Sequence, residues 1–158
     1  MKLNLGCGLD RRQGYVNIDK RKEVQPDLVL DLEDGKLPFP DSSCSEILAH
    51  DVLEHLSWRK VRALLRECLR VLEPGGVLKL RVPDLELIYK LRFGQDFEEI
   101  SFWVYGAQDY PENTHKAGFT MASLRKLLES EGFEILKMGS DGGTNILCEA
   151  VKNPRTSY

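Results

Sequence analysis

The sequence predicts an α/β fold: a single domain on a doubly wound, mostly parallel sheet that ends in an antiparallel hairpin. Three observations carry this. Short apolar runs bounded by turn residues alternate with helix-period segments through most of the chain, the pattern of strands joined by crossovers. Between Trp58 and Leu72, the residues Val61, Leu64, Leu65, Cys68, Leu69 and Leu72 repeat at helical spacing. Near the C-terminus two strand-like runs flank Ser140-Asp141-Gly142-Gly143, a turn that joins antiparallel neighbours.

The first strand, from Lys2, runs straight into the glycine turn Gly6-Cys7-Gly8, and the second, Tyr15 to Ile18, ends on Asp19. Asp27 to Asp31 is an apolar run bounded by acids and reads as the third strand. A loop rich in Pro, Asp and Ser spans Gly35 to Ser45, and Glu46 to Ala49 is the fourth strand. Ser57 is placed to cap the Trp58–Leu72 helix, and Pro74-Gly75-Gly76 to end it. Val77 to Val82 is the fifth strand, followed by a helix from Leu85 to Phe93. From Gly94 to Phe119 the periodicity is lost while aromatic residues accumulate. Thr120 caps a helix from Met121 to Glu131 that Gly132 closes. Phe133 to Met138 and Asn145 to Val151 form the hairpin. The domain covers residues 1–152, and residues 153–158 read as a frayed tail.

The chain has 158 residues, enough for one domain with a full core, and its 42% hydrophobic and 30% charged content is that of a globular protein. A net charge of −3 argues against a nucleic-acid partner unless a local patch supplies one. No run reaches the length of a membrane span, and a strand that begins at Lys2 leaves no room for a signal segment. The four cysteines are scattered without a C-x-x-C pair, so a reducing, cytoplasmic setting fits and a disulfide or zinc framework does not. Glu98-Glu99 lacks a metal-ligand pattern, and no metal is expected.

A strand that stops at a glycine turn lets backbone N–H groups approach a ligand, and an acid at the tip of the next strand can accept from a ribose diol. Only eleven positions separate Gly8 from Asp19. A dinucleotide fold places its acid about 20 residues beyond its glycines. Arg11 also stands where the third glycine of G-x-G-x-x-G belongs. The site therefore suits a nucleoside and lacks a pyrophosphate cradle, which counts against a nicotinamide-linked oxidoreductase.

These residues resemble the first two motifs of class I S-adenosylmethionine-dependent methyltransferases, and within them the compact members whose first crossover helix is reduced to a loop. Three further stretches match in order: Asp31 to Asp41, Ile47 to Leu56 and Arg70 to Leu78, with a weaker match at Leu124 to Phe133. The resemblance implies a Rossmann-like sheet, S-adenosylmethionine as cofactor, and a ligand at the carboxyl edge of the strands. There, Gly6, Cys7 and Gly8 would approach the methionine portion and Asp19 the ribose hydroxyls. Asp31 and the Leu32 backbone would face the adenine, with His50 and Asp51 near the sulfonium or ammonium.

The acceptor, read as a small molecule, falls to the aromatic stretch after the fifth strand. Trp103, Tyr105 and Tyr110 are the candidate substrate residues, with a covered core edge or a homodimer patch as the competing reading. His115 is the candidate general base, while His55 reads as structural. The basic stripe Arg59, Arg62, Arg66 and Arg70 reads as a solvated helix face. The alternative to an enzyme is a catalytically inactive S-adenosylmethionine-binding subunit that regulates or stabilises a partner.

Overall fold

The strands are β1 (Lys2–Leu5), β2 (Val16–Asp19), β3 (Leu28–Val29), β4 (Cys44–His50), β5 (Leu72–Pro83), β6 (Phe133–Ser140) and β7 (Asn145–Lys152). In the computed structural model, which describes residues 1–152, they form one seven-stranded sheet in the order β3-β2-β1-β4-β5-β7-β6. Pairing is parallel from β3 to β5 and antiparallel in β5–β7 and β7–β6, as the sequence predicts. The tail at 153–158 lies outside the described residues.

The centre of the sheet is covered on both faces, which is why its strands read as unbroken apolar runs. Leu3, Leu5, Ile18 and Ile47 are fully buried, as are Leu78 and Ile146. Helix α1 (Trp58–Val71) lays Val61, Leu64, Leu65, Cys68 and Leu69 into this core. Helix α4 (Met121–Ser130) adds Leu124 and Leu128 and begins at a Thr120–Ser123 capping box.

Several boundaries differ from the sequence reading. The hydroxyl of Ser57 does not cap α1; its backbone N–H instead donates to Glu33 Oε1 at 2.6 Å. Pro74-Gly75-Gly76 does not stop that helix, because α1 already ends at Val71 and the three residues lie inside β5. The third strand shrinks to Leu28–Val29 at the sheet edge, where pairing comes from one side only. The aperiodic stretch contains a helix, α3 (Phe97–Tyr105), after α2 (Leu85–Arg92). No residue of α3 is fully buried, so no apolar stripe announces it. Its one local signal is Asp96, whose carboxylate accepts from the Glu99 N–H at 3.0 Å.

The β1-to-β2 crossover is a loop, and two buried asparagines do the work of a helix there. Asn17 Oδ1 accepts from the Arg12 N–H at 2.7 Å and from the Asn4 amide at 3.0 Å. Asn17 Nδ2 donates to Asp27 Oδ2 at 2.8 Å, and Asn4 Nδ2 reaches the Asp10 carbonyl at 2.8 Å. Truncation would strand these buried donors. Asn17→Ala is expected to destabilise the protein by roughly 2–3 kcal/mol in urea denaturation, and a loss below about 0.5 kcal/mol would show the loop is held by other means.

Candidate cofactor site

Strand order reverses between β1 and β4, so their carboxyl ends diverge and leave a crevice. A cleft of about 390 Å³ opens there. Gly6, Cys7 and Gly8 line it from the first turn, and Asp19, Asp31 and Leu32 from the next two strand ends. His50 and Asp51 line it from the end of β4. The eight positions read from the sequence as cofactor-binding thus meet on one wall.

Gly6 and Gly8 adopt left-handed φ angles of +57° and +50°. A Cβ on Gly6 would come within 2.7 Å of Val52 Cγ2, so the turn is closed to a side chain by sterics as well as by φ. Asp19 is buried and ties the two turns together. Its Oδ2 accepts from the Gly8 N–H at 2.8 Å and its Oδ1 from the Arg21 N–H at 2.9 Å. Each oxygen keeps a second lone pair. Asp31 Oδ1 caps a 3-10 turn at Leu32–Asp34, while Oδ2 lies 3.4 Å from Lys20 Nζ. Asp51 sits at φ +55°, unusual for a residue with a side chain, and its carboxylate is gripped by the Arg81 guanidinium, Nε to Oδ1 at 2.8 Å. The Cys7 thiol is pushed up by burial and by Asp19, which suits packing rather than reactivity.

Sequence reasoning missed the cations and the far wall. Lys20, Arg21, Arg81 and Lys116 line the cleft with the carboxylates Asp10, Asp19, Asp31, Glu33, Asp51 and Glu112. The segment after α3 folds across the opening. Tyr110 lies over the Arg21 guanidinium at 4.4 Å, Glu112 reaches Lys20 at 3.6 Å, and Lys116 reaches Glu33 at 3.3 Å. Of the three aromatic candidates, Tyr110 therefore lines the cleft. Trp103 and Tyr105 do not: Trp103 stacks under Arg92 at 4.8 Å on α3, and Tyr105 is largely exposed.

The two histidines stand differently toward the cleft. His55, read as structural, lines the cleft, whereas His115 packs edge-on behind it with ring centroids 5.1 Å apart. Burial lowers the proton affinity of both, which favours the neutral imidazoles. Burial, followed by the Arg81 charge, does the same to His50. Beside His55 the Glu54 carboxyl is buried, and desolvation pushes it up to about 8.

The cleft fits a cationic nucleoside. Its wall carries six carboxylates against four cationic side chains, a balance that favours a sulfonium and an ammonium over a pyrophosphate. The glycine turn offers a backbone wall no side chain obstructs, and buried Asp19 stands at the strand tip for a ribose. Fold and site together define an α/β domain of the class I S-adenosylmethionine-dependent methyltransferase type. A family model described as a methyltransferase domain matches residues 4–80. Together with the relatives below, this match supports a class I S-adenosylmethionine-dependent methyltransferase, a family whose members use S-adenosylmethionine as cofactor.

Among curated relatives, it is 33% identical over 102 residues to a Mycolicibacterium smegmatis protein named as an S-adenosylmethionine-dependent methyltransferase. It is 35% identical over 107 residues to a tRNA N(3)-cytidine methyltransferase of Danio rerio. These matches cover 64% and 66% of this chain but 33% and 29% of the relatives, so the chain spans about a third of their length. Among solved structures, an S-adenosylmethionine-dependent methyltransferase of Methanosarcina mazei superposes with a TM-score of 0.68 at 22% identity, covering 96% of this chain and 92% of that one. A chain of the Haloferax volcanii complex containing the Trm112 methyltransferase activator gives 0.71 at 16% identity, covering 99% and 83%. At such identities these structures establish the fold alone.

Proposed function

We propose that this protein transfers the methyl group of S-adenosylmethionine to a small-molecule acceptor that enters beside His55 and Tyr110. The observation that carries this is the convergence of Gly6, Gly8, Asp19, Asp31 and Asp51 on one cleft with an acidic balance. Bound there, S-adenosylmethionine supplies a methyl group already activated on a sulfonium. The protein's tasks are then to hold, orient and exclude water. In this reading Gly6, Cys7 and Gly8 approach the methionine portion with backbone groups, and Asp19 accepts from the ribose diol. Asp31 and the Leu32 backbone face the adenine, while His50 and Asp51 lie against the positive end.

His55 faces the acceptor and His115 stands behind it, so a proton leaving an alcohol or amine passes first to His55. A neutral imidazole can accept it. Tyr110 and the strap that carries it limit the opening, which favours a small acceptor over a polymer. The arginine stripe gives a nucleic-acid acceptor little support. Arg62 and Arg66 pair with Glu131, Arg70 pairs with Glu67 and Asp41, and Arg59 stacks on Trp58. None of these arginines lines the cleft. The name of the Danio rerio relative keeps a tRNA acceptor as the competitor to be tested. Four buried, unpaired cysteines support a cytoplasmic location. No helix among the described residues is long and apolar enough to cross a membrane.

A second reading, a cofactor-binding subunit that acts through a partner, is favoured by the aromatic face of α2 and α3. Tyr89, Phe93, Phe97 and Phe102 are all more than half exposed there. The same face could pair two copies of the chain.

Thermal denaturation with S-adenosylmethionine, S-adenosylhomocysteine and NAD tests the cofactor. At a hundredfold excess over Kd, a native-state ligand adds about 2.7 kcal/mol, which moves the midpoint of a domain this size by roughly 5–10 °C. A shift with both adenosyl compounds and none with NAD is expected. No shift with either adenosyl compound would sink the proposal. Label transfer from methyl-labelled cofactor to small-molecule and tRNA pools then separates the acceptors. Tight binding without turnover, alongside a co-purifying protein, would favour the second reading.

A further inference from the structure

On the acceptor side of the cleft lies a cluster that cofactor binding does not use. Glu54 and His55 come from the 3-10 turn Leu53–His55 after β4, and His115 from the strap beyond α3. One ligand atom from each lies within 4.8 Å of the others. The backbone builds this meeting. The Lys116 and Ala117 N–H groups donate to the Glu54 carbonyl at 2.6 and 3.1 Å, and the His115 N–H donates to the Tyr105 carbonyl at 2.9 Å. Gly106 leaves room for the ring: a Cβ there would come within 3.1 Å of His115 Cδ2.

The hydrogen-bond inventory of the cluster is one-sided. His55 Nδ1 faces the Thr114 carbonyl at 3.3 Å. A carbonyl only accepts, so Nδ1 carries the hydrogen and Nε2 is left with a lone pair. The Val104 carbonyl lies near enough to the His115 ring to favour a hydrogen on it. Glu54 Oε2 is buried without a hydrogen-bond partner, an arrangement that costs free energy unless something fills it. Two imidazoles and the Glu54 carboxyl thus converge, and the proton that burial keeps on Glu54 is what an arriving ion would displace. Imidazoles steadied by backbone carbonyls on their far nitrogen are the usual second layer of a metal site. The Asp51 carboxylate acts on all three groups, offset by Arg81 at Glu54 and by Lys116 at His55.

We propose that Glu54, His55 and His115 form a binding site for a divalent first-row transition ion such as Zn²⁺, placed against the acceptor side of the cleft. Two imidazoles and one carboxylate suit such ions and not Mg²⁺ or Ca²⁺, which favour all-oxygen sets. Donors on a tetrahedral or octahedral ion stand roughly 3–3.5 Å apart, so the side chains close by about an ångström on binding. Three protein ligands leave a coordination position open, and His55 borders the cleft, so an acceptor oxygen can take it. With the ion present His55 is a ligand, and the proton-accepting role above belongs to the metal-free protein. The inference stands apart from methyl transfer, because binding is read without cofactor.

The test is isothermal titration of the chelator-treated full chain with Zn²⁺. One ion per chain is expected, with affinity reduced at least tenfold in Glu54→Gln and in His115→Gln, and unchanged in His50→Gln. No binding by the wild type, or equal binding by the first two variants, overturns the proposal. A measurement on the wild type guards against variants that fail to fold. Zn²⁺ should slow diethylpyrocarbonate modification of His55 and His115, mapped by mass spectrometry, and leave His50 unaffected. Equal modification with and without the ion also overturns it.

Discussion

Asp19→Ala is expected to weaken S-adenosylmethionine binding roughly one-hundredfold, about 3 kcal/mol, from the loss of charge-assisted hydrogen bonds to the ribose. The loss has a second source inside the protein. The carboxylate also accepts from the Gly8 and Arg21 N–H groups, so its removal frees the glycine turn from the second strand end. Asp19→Asn separates the two contributions. An amide oxygen can still accept from the Gly8 N–H, so the turn is retained while one ribose acceptor becomes a donor. Calorimetric titration should therefore place Asp19→Asn between wild type and Asp19→Ala. An Asp19→Ala affinity within about threefold of wild type would remove Asp19 from the cofactor site.

Glu54→Gln is expected to stabilise the metal-free protein, and to do so more strongly as pH rises. In the folded chain desolvation holds the carboxyl at about 8, against 4.5 for an unburied glutamate. Below the unfolded value both states are protonated and burial carries no ionisation cost. Between the two values the unfolded chain releases the proton and the folded chain keeps it. Stability then falls by about 1.4 kcal/mol per pH unit and levels off above the folded value. Glutamine has no proton to lose. The advantage of Glu54→Gln should grow from near zero at about pH 4.5 to the order of 3 kcal/mol at about pH 7, with a plateau above about pH 8. Urea denaturation across that range, with chelator present, measures it. An advantage that does not change with pH would show that Glu54 is ionised in the folded protein.

Both predictions rest on residues whose sequence signals differ greatly in clarity. Asp19 was legible because it ends an apolar run a short interval after a glycine turn, and strand ends are local features. Gly6, Cys7, Gly8, Asp31, Leu32, His50 and Asp51 were legible as positions on one edge on the same ground, since a parallel sheet brings every strand's carboxyl end together. Glu54 and His115 were not legible as a pair. They lie on opposite sides of β5, and only backbone hydrogen bonds from the strap to the Glu54 carbonyl bring them together. The strap itself shows no periodicity, because its contacts to the cleft are ion pairs and a cation–aromatic pair rather than an apolar stripe.

The sequence by itself determined the strands, the helices α1, α2 and α4, the apolar face of α1, the hairpin of β6 and β7, and the acids at the carboxyl edge of the sheet. Each follows from spacing along the chain, which secondary structure converts directly into a face or an end. The tertiary structure alone decided that Tyr110 and not Trp103 or Tyr105 meets the cleft, that His55 stands in front of His115, and that Asn4 and Asn17 replace a crossover helix. Those outcomes depend on contacts between segments distant in sequence, where burial and hydrogen-bond geometry, rather than periodicity, choose the partner.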